Sequence, residues 1–314
     1  MRTLFLFEKI HDSAGHSLLR FGAMCLCVLL LGLNSSVAHS AIVNNNHLFK
    51  KVGELHAKVE ALAKAHKKTL TDIEAPTFSD RLPIHLYAKS IDIYDQLRRL
   101  DPELGLAPMS LPNKTLRPRD VMNPLNQINQ VLDQLLAKKM VLLAVPESQV
   151  PLGKSAADVY QQLWWLTTML SQLVPPPSAS ETLVQLKAVS LEIDQIAKAL
   201  KQEPSAPKSV VVEGKIPRDV LLVLYQDMHL LGRWQRQTNV ESMAPGALRS
   251  GVLSMADVYD TTRSFLADLH RMKTSMSITT DVKTPEANSS ASVDALYTEA
   301  KVIHDQLRSL TDPK

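Results

Sequence analysis

Asp158 to Leu173 reads DVYQQLWWLTTMLSQL, and Asp219 to Trp234 reads DVLLVLYQDMHLLGRW. Superposed on their aspartates, the two carry large apolar side chains at steps 1, 5, 8, 12 and 15, with Asp227 the one exception. At about 100° per residue those steps fall within about 80° of arc, one narrow ridge along an α-helix. A strand, whose faces repeat every second residue, does not produce it. Segments beginning at His85, Asp120, Asp257 and Ala295 repeat the pattern, and step 12 is leucine in all six: Leu97, Leu132, Leu170, Leu231, Leu269 and Leu307. Weaker copies begin at His47 and at Gln185. That makes eight helices.

The helix starts agree as well. Pro83, Pro118 and Pro217 stand two residues before step zero, at a helix position whose N–H needs no partner. Ser155 with Asp158, and Ser254 with Asp257, read as capping boxes, so the recurrent aspartate is a cap rather than a catalytic group. Spacings cluster at 35 to 38 residues, and Pro118-Arg-Asp-Val121 returns as Pro217-Arg-Asp-Val220. The expected fold is all-α, a multi-helix bundle or short α-solenoid of internally duplicated units. Helices are expected near 47–72, 83–100, 118–144, 155–174, 180–202, 217–237, 254–274 and 292–311. Pro124 suggests that the Asp120 helix starts properly only there, capped by Asn123. The Asp158 and Asp219 helices, apolar round most of their circumference, are expected at the centre, and the His47, Asp120 and Ala295 helices at the periphery.

Composition narrows the function classes. Ten Gly against 18 Pro weigh against sandwiches, barrels and glycine-turned nucleotide folds, and a net charge of +3 gives no reason to expect nucleic acid. Phe21 to Leu33 is an unbroken apolar run, short for a bilayer, with Arg20 before it and Ala38 and Ser40 after it. It reads as a secretory signal peptide over residues 1–40, cut after Ser40, with an uncleaved anchor as the rival. Both cysteines, Cys25 and Cys27, lie inside it, so a helical domain over 41–314 carries no thiol and no disulfide. The periplasm or the extracellular space is the expected destination.

Few residues break the pattern. Asp227 sits at step 8, the middle of the ridge, where its sisters are apolar. A buried carboxylate needs a partner or a proton, so Asp227 is paired with an Arg or Lys of another helix, sits on a locally rotated helix that exposes it, or lines an internal pocket. His229 points to a different face, and no His-x3-His or His-Glu-x2-His pair offers a metal site. Trp164, opposite the ridge, packs on a second neighbour or joins Tyr160 in an exposed patch, and Trp165 stands beside it. The first helix carries Lys50, Lys51, Lys58, Lys64, Lys67 and Lys68, a solvated face or a weak contact for anionic membrane or polymer. With no hydrolase elbow or phosphate loop, the expectation is a non-catalytic interaction or scaffold protein that takes a protein partner and needs no cofactor. The alternative is a small-ligand binder with a pocket between the Asp158 and Asp219 helices, using Asp227, His229, Trp164, Trp165 and Tyr160. An enzyme without a sequence motif comes third. Intact-mass measurement of the protein from its native host should give a chain beginning at Ala41; a mass that retains residues 1–40 contradicts the cleavage.

Overall fold

The computed structural model describes residues 42–71, 73, 77–145, 149–204, 212–243, 245, 248, 251–283, 285 and 290–312. The expected signal peptide lies outside them. Eight α-helices follow one another, with no strand among the described residues: α1 (Asn45–Ala65), α2 (Pro83–Leu100), α3 (Pro118–Lys138), α4 (Ala156–Ser171), α5 (Ala179–Ala199), α6 (Pro217–Gln237), α7 (Met255–Ser275) and α8 (Val293–Thr311). The ridge is the core. In α1, Leu48, Val52, Leu55, Val59 and Leu62 are all fully buried, and the six recurrent leucines at step 12 are buried too. Burying a Leu or Val side chain contributes roughly 1.5–3 kcal/mol, so each ridge outweighs any helix propensity in this chain. Small polar ridge residues are satisfied locally: the hydroxyls of Ser90 and Thr262 donate to the carbonyls of Leu86 and Val258, four residues back.

The helices form two rings of four. α1 touches α3 and α4, and α2 touches α3 and α4; likewise α5 touches α7 and α8, and α6 touches α7 and α8. Each ring encloses its own apolar core, the first built on α1 to α4 and the second on α5 to α8. The closest join between the rings is α2 against α7, where Ile84, Ala88 and Ala267, with Leu116 from the connector before α3, form a small apolar patch. These two are the central helices, not the Asp158 and Asp219 helices, α4 and α6. The seam faces of α2 and α7 are largely charged, so apolar circumference gave no hint of their burial.

Within a ring the helices run parallel. Along α1 and α4, Asn46 meets Lys154, His56 meets Gln162, and Thr71 meets Gln172, in ascending order. Along α6 and α8, Lys215 meets Asp294, Asp227 meets His304, and Gln237 meets Thr311. Across the seam the order reverses: His85 faces Asp268, whereas Asp95 faces Tyr259 and Arg263. The connectors 66–82, 101–117, 139–155, 200–216, 238–254 and 276–292 are each 17 residues long, and only 172–178 is short, at 7. A long connector returns the chain to the end where the previous helix began; the short one reverses direction between rings.

Several boundaries differ from the periodicity reading. α3 runs unbroken from Pro118 through a buried Pro124, so the helix does not wait for Asn123 to cap it; the proline forgoes the bond to the carbonyl of residue 120, and the buried ridge on either side holds the helix together. In α5 the capping box is Ser178 with Glu181, so its step zero is Glu181, four residues before Gln185; a four-residue slip rotates the ridge by only about 40° and is hard to detect from spacing. α1 and α3 stop at Ala65 and Lys138, short of 72 and 144. In both, as in α5, α6 and α7, the second residue past the helix turns left-handed: Lys67, Met140, Lys201, Asn239 and Ser277 have φ of 56° to 58°. The next N–H then donates to a carbonyl five residues back, such as Val141 to Leu136 and Ile278 to Lys273. Glycine normally takes that position, and this chain, poor in glycine, fills it with side chains that resist it. Lys201→Gly and Ser277→Gly should each stabilise the protein by about 0.5–1 kcal/mol, with Asn239→Gly gaining less because Asn tolerates the conformation; urea unfolding of the three variants checks the order.

Candidate functional site

The seam between α2 and α7 is built from charge. Lys89 is almost fully buried, its ammonium bound to Asp260 and 3.7 Å from Asp92. Arg263 donates through Nη2 to Asp95 (2.7 Å) and to the Tyr259 hydroxyl (2.8 Å). Its Nε lies 3.5 Å from Asp92, too far for a hydrogen bond. Burial opposes the charge on Lys89, yet Asp260, Tyr160 and Asp92 outweigh it and hold the ammonium above its ordinary value. Burial also pushes the Asp92 carboxyl up to about 8, against the pull of Lys89 and with the push of Asp260. Two buried cations, Lys89 and Arg263, thus stand among three carboxyl groups, Asp92, Asp95 and Asp260, and Arg98 meets Asp95 from the rim at 3.0 Å.

Beside it lies a narrow cleft of about 80 Å³ between α4, α6, α7 and residues 77–81. Tyr160 and Trp164 line it from α4, and Leu221, Tyr225 and Met228 from α6. The Arg81 guanidinium lies 4.7 Å from the centre of the Tyr160 ring and 5.4 Å from that of Phe78, and its buried Nε has no hydrogen-bond partner. A cavity thus exists between the Asp158 and Asp219 helices, and Tyr160 and Trp164 belong to it. Trp164 is buried there, which selects packing on a second neighbour over an exposed patch. Trp165, one step or about 100° further round α4, faces elsewhere. Its Nε1 donates to the Ile73 carbonyl (2.9 Å), and its ring stacks on His56 at 5.7 Å. It lines a groove of about 340 Å³ between α1, α4 and the start of the connector from α1 to α2.

Asp227 joins neither cavity. Fully buried in the second ring, it meets Nδ1 of His304 on α8 at 2.7 Å, and its other oxygen has no hydrogen-bond partner. The partner is therefore a histidine rather than an Arg or Lys. Burial raises its carboxyl to about 6, even though His304 pulls the other way. His229 is exposed and stands apart from both cavities. A second buried cluster, which residue patterns did not reveal, ties α5 to α7: Lys273 donates to the Thr280 carbonyl (2.6 Å) and pairs with Glu192 (2.7 Å), which His270 also approaches. The recurrent aspartates do cap: Ser155 N–H donates to Asp158 at 2.7 Å, and Ser254 N–H to Asp257 at 2.7 Å. Among the described residues no group of three or more His, Asp or Glu could hold a metal ion.

Compared with protein-family models, with curated proteins and with solved structures, the chain matches none.

The Asp227 geometry fixes a pH dependence. Between about pH 4 and pH 6 the unfolded chain releases a proton that the folded chain keeps, so stability falls as pH rises through that window, by about 3 kcal/mol in all. Asp227→Asn removes the ionisation and keeps an oxygen for His304. Its melting temperature should exceed that of the parent at pH 7 and match it near pH 4; parallel melting curves for the two proteins across this range contradict the assignment.

Proposed function

We propose that this protein is a non-catalytic interaction or scaffold protein of the cell envelope or extracellular space, and that it holds a protein partner through the connector between α3 and α4. One observation carries the reading. Every ridge is buried, yet this connector leaves large apolar side chains in water: Met140 is 93% exposed, Leu142 101% and Leu152 86%. Uncovered apolar side chains gathered on one segment mark a contact surface more often than a flaw of folding. The buried ionic groups support the same reading, since Asp95, Asp227, Asp260 and Glu192 each meet a cation or histidine inside the fold. No helix among the described residues is long and apolar enough to cross a membrane, which is compatible with release after processing.

Internal duplication also belongs to this proposal. Six of the seven helix-to-helix offsets are 38 or 35 residues, and both rings close in the same order, first to third to second to fourth. Repetition of one helix-and-connector unit is the simplest origin of both. A second reading, small-ligand binding, draws support from the seam cleft, where Arg81, Tyr160 and Trp164 stand with Asp257 and Asp260 around one cavity.

Leu142→Asp and Met140→Asp together should leave the melting temperature within about 1 °C, because neither side chain packs on the core. A photoreactive residue at position 142 should give a discrete polypeptide adduct in intact host cells, and one at the exposed Glu103 should not. Equal labelling from both positions, or none from 142, argues against a partner on this connector.

A further inference from the structure

We propose that the groove between α1 and α4 binds an anionic amphiphile, a single alkyl chain ending in a carboxylate or phosphate, with the chain against Trp165 and the head group at Lys64 and Lys68. The groove is distinct from the seam cleft and from the exposed connector. Its volume of about 340 Å³ falls within the range of small-molecule sites, about 300–1,000 Å³.

The chemistry of the lining sets the ligand. Ala63, Leu70, Ile73, Trp165 and Met169 form an apolar floor. The polar groups on the α4 wall are already used: Trp165 Nε1 donates to Ile73, the Thr168 hydroxyl donates to the Trp164 carbonyl, and the Gln172 amide both donates to and accepts from the Thr71 backbone. A sugar, nucleoside or peptide would find few donors or acceptors along this wall, so the ligand body is apolar. The rim is charged. Other lysines of α1 are engaged, Lys51 by Glu54 and Lys58 by Asp133. Lys64 and Lys68 are exposed, and no carboxylate pairs with them among the described residues. Glu60 is the one acid in the described lining, against two lysines, so the rim favours an anion.

Titration calorimetry of the full chain from its native host, against octanoate, decanoate and dodecanoate below their micelle concentrations, tests this. Affinity should rise about fourfold for each added methylene. Decanol and inorganic phosphate, which supply the chain or the charge alone, should each bind at least tenfold more weakly than decanoate. Lys64→Glu with Lys68→Glu should weaken dodecanoate at least tenfold at an unchanged melting temperature, and the fluorescence change on binding should vanish in Trp165→Phe. Affinity independent of chain length, full binding by the double variant, or binding to phosphatidylglycerol vesicles with none to free alkanoate would each overturn the proposal, the last by assigning this face to a lipid surface.

Discussion

Connector length is the constraint from which the architecture follows. Seventeen extended residues reach about 55 Å, more than the roughly 31 Å of a 21-residue helix, so the chain can travel back along a finished helix and begin the next at the same end. Seven residues reach only about 24 Å, too little to run back along α4 and step sideways as well. α5 must therefore start where α4 stopped. One short connector in a series of long ones thus divides eight similar helices into two parallel rings that point in opposite directions.

Parallel helices carry an electrostatic cost. Four aligned macrodipoles gather partial positive charge at one end of a ring and partial negative charge at the other. The chain answers in three ways. Asp120, Asp158, Glu181, Asp219, Asp257 and Asp294 occupy first turns, and Lys64, Lys138, Lys198, Arg236, Lys273 and Arg308 occupy last turns. The opposed directions of the rings set unlike ends near one another. At the seam, Lys89 and Arg263 sit among Asp92, Asp95 and Asp260, an arrangement that fixes how α2 meets α7 better than an interchangeable apolar contact could.

Helix content, core ridge and caps could be read from the sequence, because each depends on residues within a turn or two of one another. The buried charge could not. Lys89, Asp92 and Arg263 look like solvated helix residues until α7 is laid against α2, and Lys273 looks like a routine basic residue near a helix end. Asp227 stood out because it breaks the ridge. His304 did not, since it lies one residue past Ile303 on a different helix, and only parallel, in-register packing brings step 8 of α6 level with step 9 of α8. The two tryptophans show the same limit: their neighbours on α4 were evident, whereas the cavities they enter are formed by α1 on one side and by α6 and α7 on the other.

By itself, then, the sequence determined eight amphipathic helices, the capped starts of α4 and α7, the proline starts of α2 and α6, and the buried ridge of every helix but α5, all consequences of a 100° turn per residue and local hydrogen bonding. The tertiary structure alone decided that the helices run parallel, that they close into two rings, and that the most polar faces become the join. Those features depend on which helix stands beside which, a choice set by connector reach and by charges paired across more than 160 residues of chain, as Arg263 is with Asp95.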